Sequence, residues 1–200
     1  MTDVRTFVAV TLEPEVLRAL EEAQARLRGM EGGRACRWVD AESIHLTFHF
    51  LGDVPAERLQ EVFDAVARGS RGFGPIDIAI AGLGCFPNTR QPRIVWAGVR
   101  EASGRLADLQ RAIGRELAGV GYPPERRPFT PHLTIGRARR DAARPDLAAL
   151  GRAVSAQPEE TLATMRVQRV HVIKSDLHPS GAVYTIMSSS ALDAQPPRGE

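Results

Sequence analysis

A four-residue pattern occurs twice: His45-Leu46-Thr47-Phe48 in the first half of the chain and His132-Leu133-Thr134-Ile135 in the second. Each copy sits in an apolar run with strand character, from Ser43 to Leu51 and from Phe129 to Ile135. Side chains alternate between the two faces of a strand, so residues i and i+2 project together. His45 and Thr47 therefore share one face while Ile44, Leu46 and Phe48 turn to the other. His132 and Thr134 pair in the same way, opposite Leu133 and Ile135. Two strands that each bury one face and show an imidazole and a hydroxyl on the other imply two related lobes facing one another, one motif from each.

The rest of the chain reads as alternating strands and helices. A strand over Thr6–Leu12 leads to Pro14 at a helix start, and Leu17, Leu20, Ala23 and Leu27 recur at helical spacing until Gly29. A polar, glycine-containing connection then runs through Trp38 to the first motif strand. Gly52-Asp53 is expected to end the first motif strand, and Pro55 opens a second helix carrying Leu59, Val62, Phe63 and Val66. Strands follow at Ile76–Ile80 and Arg93–Val99, then a helix from about Ser103 to Leu117. A Gly/Pro/Arg-rich loop, Gly119 to Pro128, precedes the second motif strand. A helix over about Asp146–Val154 comes next, and two closing strands, Met165–Ile173 and Ala182–Ser188, meet at a turn over Leu177–Gly181. This order is α+β, with sheets covered by helices. Residues 1–190 read as one domain and 191–200 as a flexible tail.

Two hundred residues suffice for a sizeable core, and 43% apolar with 25% charged residues is ordinary for a globular protein. No apolar run reaches the roughly 18 residues of a membrane span, and the N-terminus turns acidic before any signal core develops. The expected location is cytoplasmic and the expected state monomeric. Cys36 and Cys85 stand far apart in sequence with no CxxC spacing, so they read as free thiols. Lys174 is the only lysine, and the net charge is only +2. That balance argues against a protein that coats long nucleic acids, and leaves a short or terminal phosphate open.

Two imidazoles and two hydroxyls around one cleft fit phosphoryl transfer at a cyclic diester. One neutral imidazole takes a proton from the attacking water, and the other, protonated, donates to the departing sugar oxygen. With an ordinary pKa of about 6.5, histidine serves either role near neutral pH. Thr47 and Thr134 can hold the non-bridging oxygens as charge shifts. The scheme needs no metal and no cofactor.

The chain resembles the two-histidine phosphoesterases, specifically the RNA 2′,3′-cyclic phosphodiesterases long labelled 2′-5′ RNA ligases. The resemblance runs from Phe7 to about Tyr184. It is carried by Phe7-Val8-Ala9-Val10, by Ile44 through Gly52, and by Gly84-Cys85-Phe86-Pro87-Asn88. Further on it includes Pro92 through Trp96, Phe129 through Arg137, Lys174-Ser175-Asp176-Leu177 and Gly181 through Tyr184. It implies a bilobal, pseudo-two-fold fold with two antiparallel sheets around a central cleft and helices outside. It also implies hydrolysis of RNA 2′,3′-cyclic phosphate ends to 2′-phosphomonoesters, with weak reverse ligation. On that likeness His45 is the proton donor and His132 the acceptor; the residues alone leave the direction open, because the motifs are nearly equivalent.

The resemblance also implies phosphate contacts from Arg137 and Arg127 and base stacking by Phe50. Strict alternation puts Phe50 and Arg137 on the faces away from the histidines, so these roles require a bulge, a strong twist or a strand end. His49 falls in phase with His45 on a regular strand, yet has no counterpart in the second motif and is left out of the site. Rival readings are a two-histidine enzyme for a non-RNA cyclic phosphate and a non-catalytic module that grips RNA ends. A zinc site on His45 and His49 is a third; it lacks a matching Glu or Cys set.

Overall fold

The structure is a computed structural model and describes residues 2–124, 127–178 and 181–193. Among these, the strands are β1 (Asp3–Thr11), β2 (Cys36–Trp38), β3 (His45–Pro55), β4 (Ile76–Phe86), β5 (Ile94–Arg100), β6 (His132–Ala138), β7 (Thr161–Val167), β8 (Arg169–His178) and β9 (Gly181–Ala191). The helices are α1 (Pro14–Arg28), α2 (Leu59–Ser70), α3 (Arg105–Gly119) and α4 (Arg144–Ser155). Most of the expected tail, 194–200, lies outside the described residues.

The antiparallel strands follow the order β7-β4-β5-β6-β3-β1-β8-β9, with β2 added alongside β6. This path is two sheets joined at one point, because β3 and β6 meet through the single pair Leu46↔Leu133. One half is β3-β1-β8-β9, with α2 packed on β8 and β9 and α3 on β3. The other is β7-β4-β5-β6-β2, with α1 on β6 and β7 and α4 on β4. The halves are interleaved along the chain: β1 belongs to one half, and the helix that follows it covers the other.

Pattern explains each element. Pro14 pre-sets the first turn of α1, Glu15 and the pair Arg26 and Arg28 suit the two ends of its dipole, and Val16, Leu20, Ala23 and Leu27 are buried. On β1, Val8 and Val10 enter the main core under the helices, whereas Phe7 and Ala9 join Ile173 in a small cluster on the opposite, helix-free face. Cys36 and Cys85 are buried free thiols, and burial pushes their pKa values up to about 12 and about 11.

Three local expectations need correction. The run Met165–Ile173 is two strands: β7 ends at Val167 on β4, and β8 starts at Arg169 on β1. The chain passes between halves at Gln168, with no glycine or proline to announce it. Gly52 does not end the first motif strand; with φ at +72° it is accommodated beside a bulge, and β3 continues to Pro55. The stretch read as a connection through Trp38 contains β2, which adds to β6.

Candidate active site

The register sets the geometry. Continued one residue either way, Leu46↔Leu133 puts His45 across from Thr134 and Thr47 across from His132. Both leucines are fully buried on the helix side, so the four polar side chains occupy the other face, at the seam between the halves. In a regular ladder, diagonal neighbours such as His45 and His132 lie about 7–8 Å apart. The pairing stops after this one residue.

The two imidazoles are held alike. Nδ1 of His45 lies 2.9 Å from the Ser43 carbonyl, and Nδ1 of His132 lies 2.8 Å from the Thr130 carbonyl. A carbonyl only accepts, so each Nδ1 carries the proton and donates. In the neutral rings Nε2 is therefore the bare nitrogen. Each ring also rests on aromatics. His45 lies 4.6 Å from Phe7 and edge-on to Tyr184 at 5.1 Å. His132 is edge-on to Phe86 at 5.0 Å, and Phe86 contacts Trp96 at 5.4 Å. The Trp96 ring lies over Gly84, where a Cβ would come within 2.2 Å of it.

Burial lowers the pKa of His45 from 6.5 to about 4, the Ser43 bond opposes this, and Arg137 adds to the lowering. At neutral pH His45 is therefore an uncharged imidazole.

Phe50 and Arg137 reach the cleft face through matched bulges. Along β3 the partners run Val8↔His49 and Ala9↔Thr47, leaving Phe48 as the extra residue. Along β6 they run Val95↔Gly136 and Trp96↔Thr134, leaving Ile135 extra. Each extra residue stands three positions after its motif histidine, and each reverses the strand's phase. Phe50 then pairs with Phe7, the ring beneath His45, and is 61% exposed at a centroid distance of 6.1 Å. Arg137 falls in phase with Thr134, also exposed. The same shift turns His49 into the core, where its Nε2 is 2.9 Å from the Gln110 carbonyl of α3. His45 and His49 thus face opposite sides, which removes them as a zinc pair, and among the described residues no cluster of three or more metal-ligating side chains occurs.

Glutamines from the helices secure both bulges. Gln24 of α1, buried, donates Nε2–H to the carbonyls of Ile135 at 2.8 Å and Val39 at 2.7 Å. Gln110 of α3 donates to the Phe48 carbonyl at 3.5 Å. The sequence reading missed these residues, as well as Phe7 and Tyr184; the same-offset pair Phe48 and Ile135 was the available signal.

Arg127 is exposed on the loop between α3 and β6, while Arg126 lies outside the described residues. Phe129 packs edge-on against Phe48, Trp38 donates its indole N–H to Gly33, and Tyr122 lies under Arg58. His171 sits on the cleft face of β8, with Nδ1 2.8 Å from the Ser189 hydroxyl and Nε2 3.3 Å from that of Thr11; burial and then Arg169 lower its pKa.

Comparison with known proteins follows this geometry. The model of the LigT like Phosphoesterase family matches in two stretches, 10–96 and 98–184, and the motif histidines fall at nearly the same depth in each. The RNA 2′,3′-cyclic phosphodiesterase of Methanothermobacter thermautotrophicus is 35% identical over 184 residues, covering 92% of this chain and 96% of that protein. The protein of the same name from Thermus thermophilus is 35% identical, covering 94% and 90%. Among solved structures, TT0787 of Thermus thermophilus superposes with a TM-score of 0.77 at 30% identity, covering 94% of this chain and 97% of that one. E. coli LigT complexed with 3′-AMP shares the fold, with a TM-score of 0.74 at 24% identity over 95% and 98%. The chain belongs to the LigT-like phosphoesterases, the two-histidine family that its repeated motif resembles.

Proposed function

We propose that the chain hydrolyses RNA 2′,3′-cyclic phosphate ends to 2′-phosphomonoesters, as one unit with one motif contributed by each half. One observation carries the reading: two imidazoles on the same face across the Leu46–Leu133 seam, each with Nδ1–H tied to the carbonyl two residues before it. Relatives that bear the RNA 2′,3′-cyclic phosphodiesterase name over more than nine-tenths of both chains supply the substrate class.

In this reading Nε2 of His132 takes the proton from water as the oxygen attacks phosphorus. His45 delivers a proton from Nε2 to the 3′ oxygen as the P–O3′ bond breaks, leaving the phosphate on O2′. Thr47 and Thr134 hold the non-bridging oxygens, Arg137 and Arg127 supply positive charge, and Phe50 stacks on the terminal base. Because burial disfavours the His45 imidazolium, its donor role draws on the substrate, whose anionic phosphate favours that charged form. With a 5′ hydroxyl in place of water as nucleophile, the same steps break P–O3′, protonate the 3′ oxygen and join two strands through the 2′ phosphate, the weak ligation expected of the family. The reaction needs no metal ion or cofactor. Among the described residues no helix is long and apolar enough to cross a membrane.

The test is incubation with an RNA oligomer ending in a 2′,3′-cyclic phosphate, in the presence of a chelator, followed by identification of the monoester. The 2′-phosphate is expected, with His45→Ala and His132→Ala each lowering turnover about 10²–10⁴-fold. Wild-type turnover in either mutant, or a 3′-phosphate product, refutes the scheme.

A further inference from the structure

Arg37 of β2 is the direct cross-strand partner of Arg137 of β6. Partners in a ladder point to the same face, so Arg37 shares the face that the bulge at Ile135 gives to Arg137, that of Thr134 and His132. Both guanidiniums are exposed, and among the described residues neither forms an ion pair. Like charges set directly opposite in a sheet repel. An anion between two arginine forks removes that repulsion and takes paired hydrogen bonds from each.

The place of the pair along the strand identifies the anion. Trp96 pairs with Thr134 and Ile94 with Arg137, so Arg137 lies two pairing steps beyond the threonine, about 6–7 Å. Arg37 stands about 4.8 Å across from it, on the edge of β6 that β3 also pairs. This offset centres the two forks beyond the phosphate held between the histidines and suits the next phosphate of a nucleic-acid strand. Phe50 lies past Thr47 on antiparallel β3, toward the other end of the cleft. A terminal nucleotide carries its base and its 5′ phosphate on different sugar carbons, so one nucleotide can occupy both ends.

We propose that Arg37, with Arg137, binds the phosphodiester on the 5′ side of the terminal nucleotide and makes the site select oligonucleotide ends over cyclic mononucleotides. This rests on the function proposed above. The experiment compares kcat/KM for an RNA oligomer ending in a 2′,3′-cyclic phosphate with that for a nucleoside 2′,3′-cyclic monophosphate, in wild type, Arg37→Ala and Arg37→Lys. The oligomer-to-mononucleotide ratio is independent of the fraction of protein folded. In Arg37→Ala it is expected to fall about tenfold, chiefly through KM, as loss of a charged hydrogen bond implies. The plot of log kcat/KM against log salt for the oligomer should become shallower by about 0.7, the value for one phosphate contact on a single strand. Arg37→Lys should restore most of that slope. An unchanged ratio in Arg37→Ala, whether both substrates suffer equally or neither does, overturns the inference and leaves the hydrolytic function standing. Wild-type protein that cleaves neither substrate overturns the function, and the inference with it.

Discussion

Acid should weaken this fold through a residue of the proposed active site. His45 is pressed between Phe7 and Tyr184 and has a pKa of about 4 in the folded protein, against 6.5 when unfolded. The folded ring binds its proton less tightly than the unfolded one. Its contribution to stability is therefore intact above pH 6.5 and is lost as pH falls from 6.5 to 4. At pH 4 the loss amounts to about 3 kcal/mol, from about 1.4 kcal/mol for each pH unit between the two values. Denaturant unfolding of wild type and His45→Gln at pH 7 and pH 4 isolates this contribution, since Gln does not titrate. Wild type should lose about 3 kcal/mol more than the variant over that interval. The ring can also be followed directly by NMR titration. Without ligand it should stay neutral to below pH 5, and inorganic phosphate should raise its midpoint, because an anion in the cleft stabilises the imidazolium. A free-protein midpoint near 6.5, or equal acid sensitivity in wild type and variant, refutes the burial argument. A midpoint unmoved by phosphate removes the route by which the proposed scheme protonates His45.

Further expectations concern the cleft and its supports. Arg137→Gln removes a cation that disfavours the His45 imidazolium, so NMR titration should show the His45 midpoint rising. Gln24→Met keeps the side-chain length but withdraws both donors from the Ile135 and Val39 carbonyls; denaturation should show a loss of about 2 kcal/mol. Its KM for the oligomer should also rise as the bulge that directs Arg137 loosens. Gly84→Ala puts a Cβ against the Trp96 ring, and the overpacking should cost about 1–3 kcal/mol, read as a lower Tm.

What the sequence made legible is what obeys a short period. Two His-x-Thr segments in strand phase announce two polar faces backed by buried leucines, and both leucines are fully buried. Helical spacing in Leu20, Ala23 and Leu27 likewise announces the inner face of α1. Pairing is a different matter, because a strand's alternation is silent about its neighbour. The break at Gln168 sends β7 and β8 to opposite halves without a change in pattern, and the three residues of β2 are too few to show any period. Arg37 was invisible for that reason: its significance lies in its partner across β6.

Alternation taken strictly sends Phe50 and Arg137 into the core and brings His49 into the cleft, the reverse of what the structure has. A bulge costs regular pairing at the extra residue, whose carbonyl must find another donor or be buried unsatisfied. In both halves a glutamine on the covering helix donates to it: Gln110 to Phe48, and Gln24 to Ile135 alongside the backbone N–H of Val39. The phase of each cleft strand is thus linked to a helix on the far side of the sheet. The repeated motif accordingly extends beyond its four residues. It comprises a histidine braced by the carbonyl two residues before it, a threonine, an extra residue met by a helix glutamine, and a fifth-position side chain returned to the cleft. The two halves diverge at that last position, phenylalanine in one and arginine in the other, and so a nearly symmetric frame has one end suited to a base and one end suited to a phosphate.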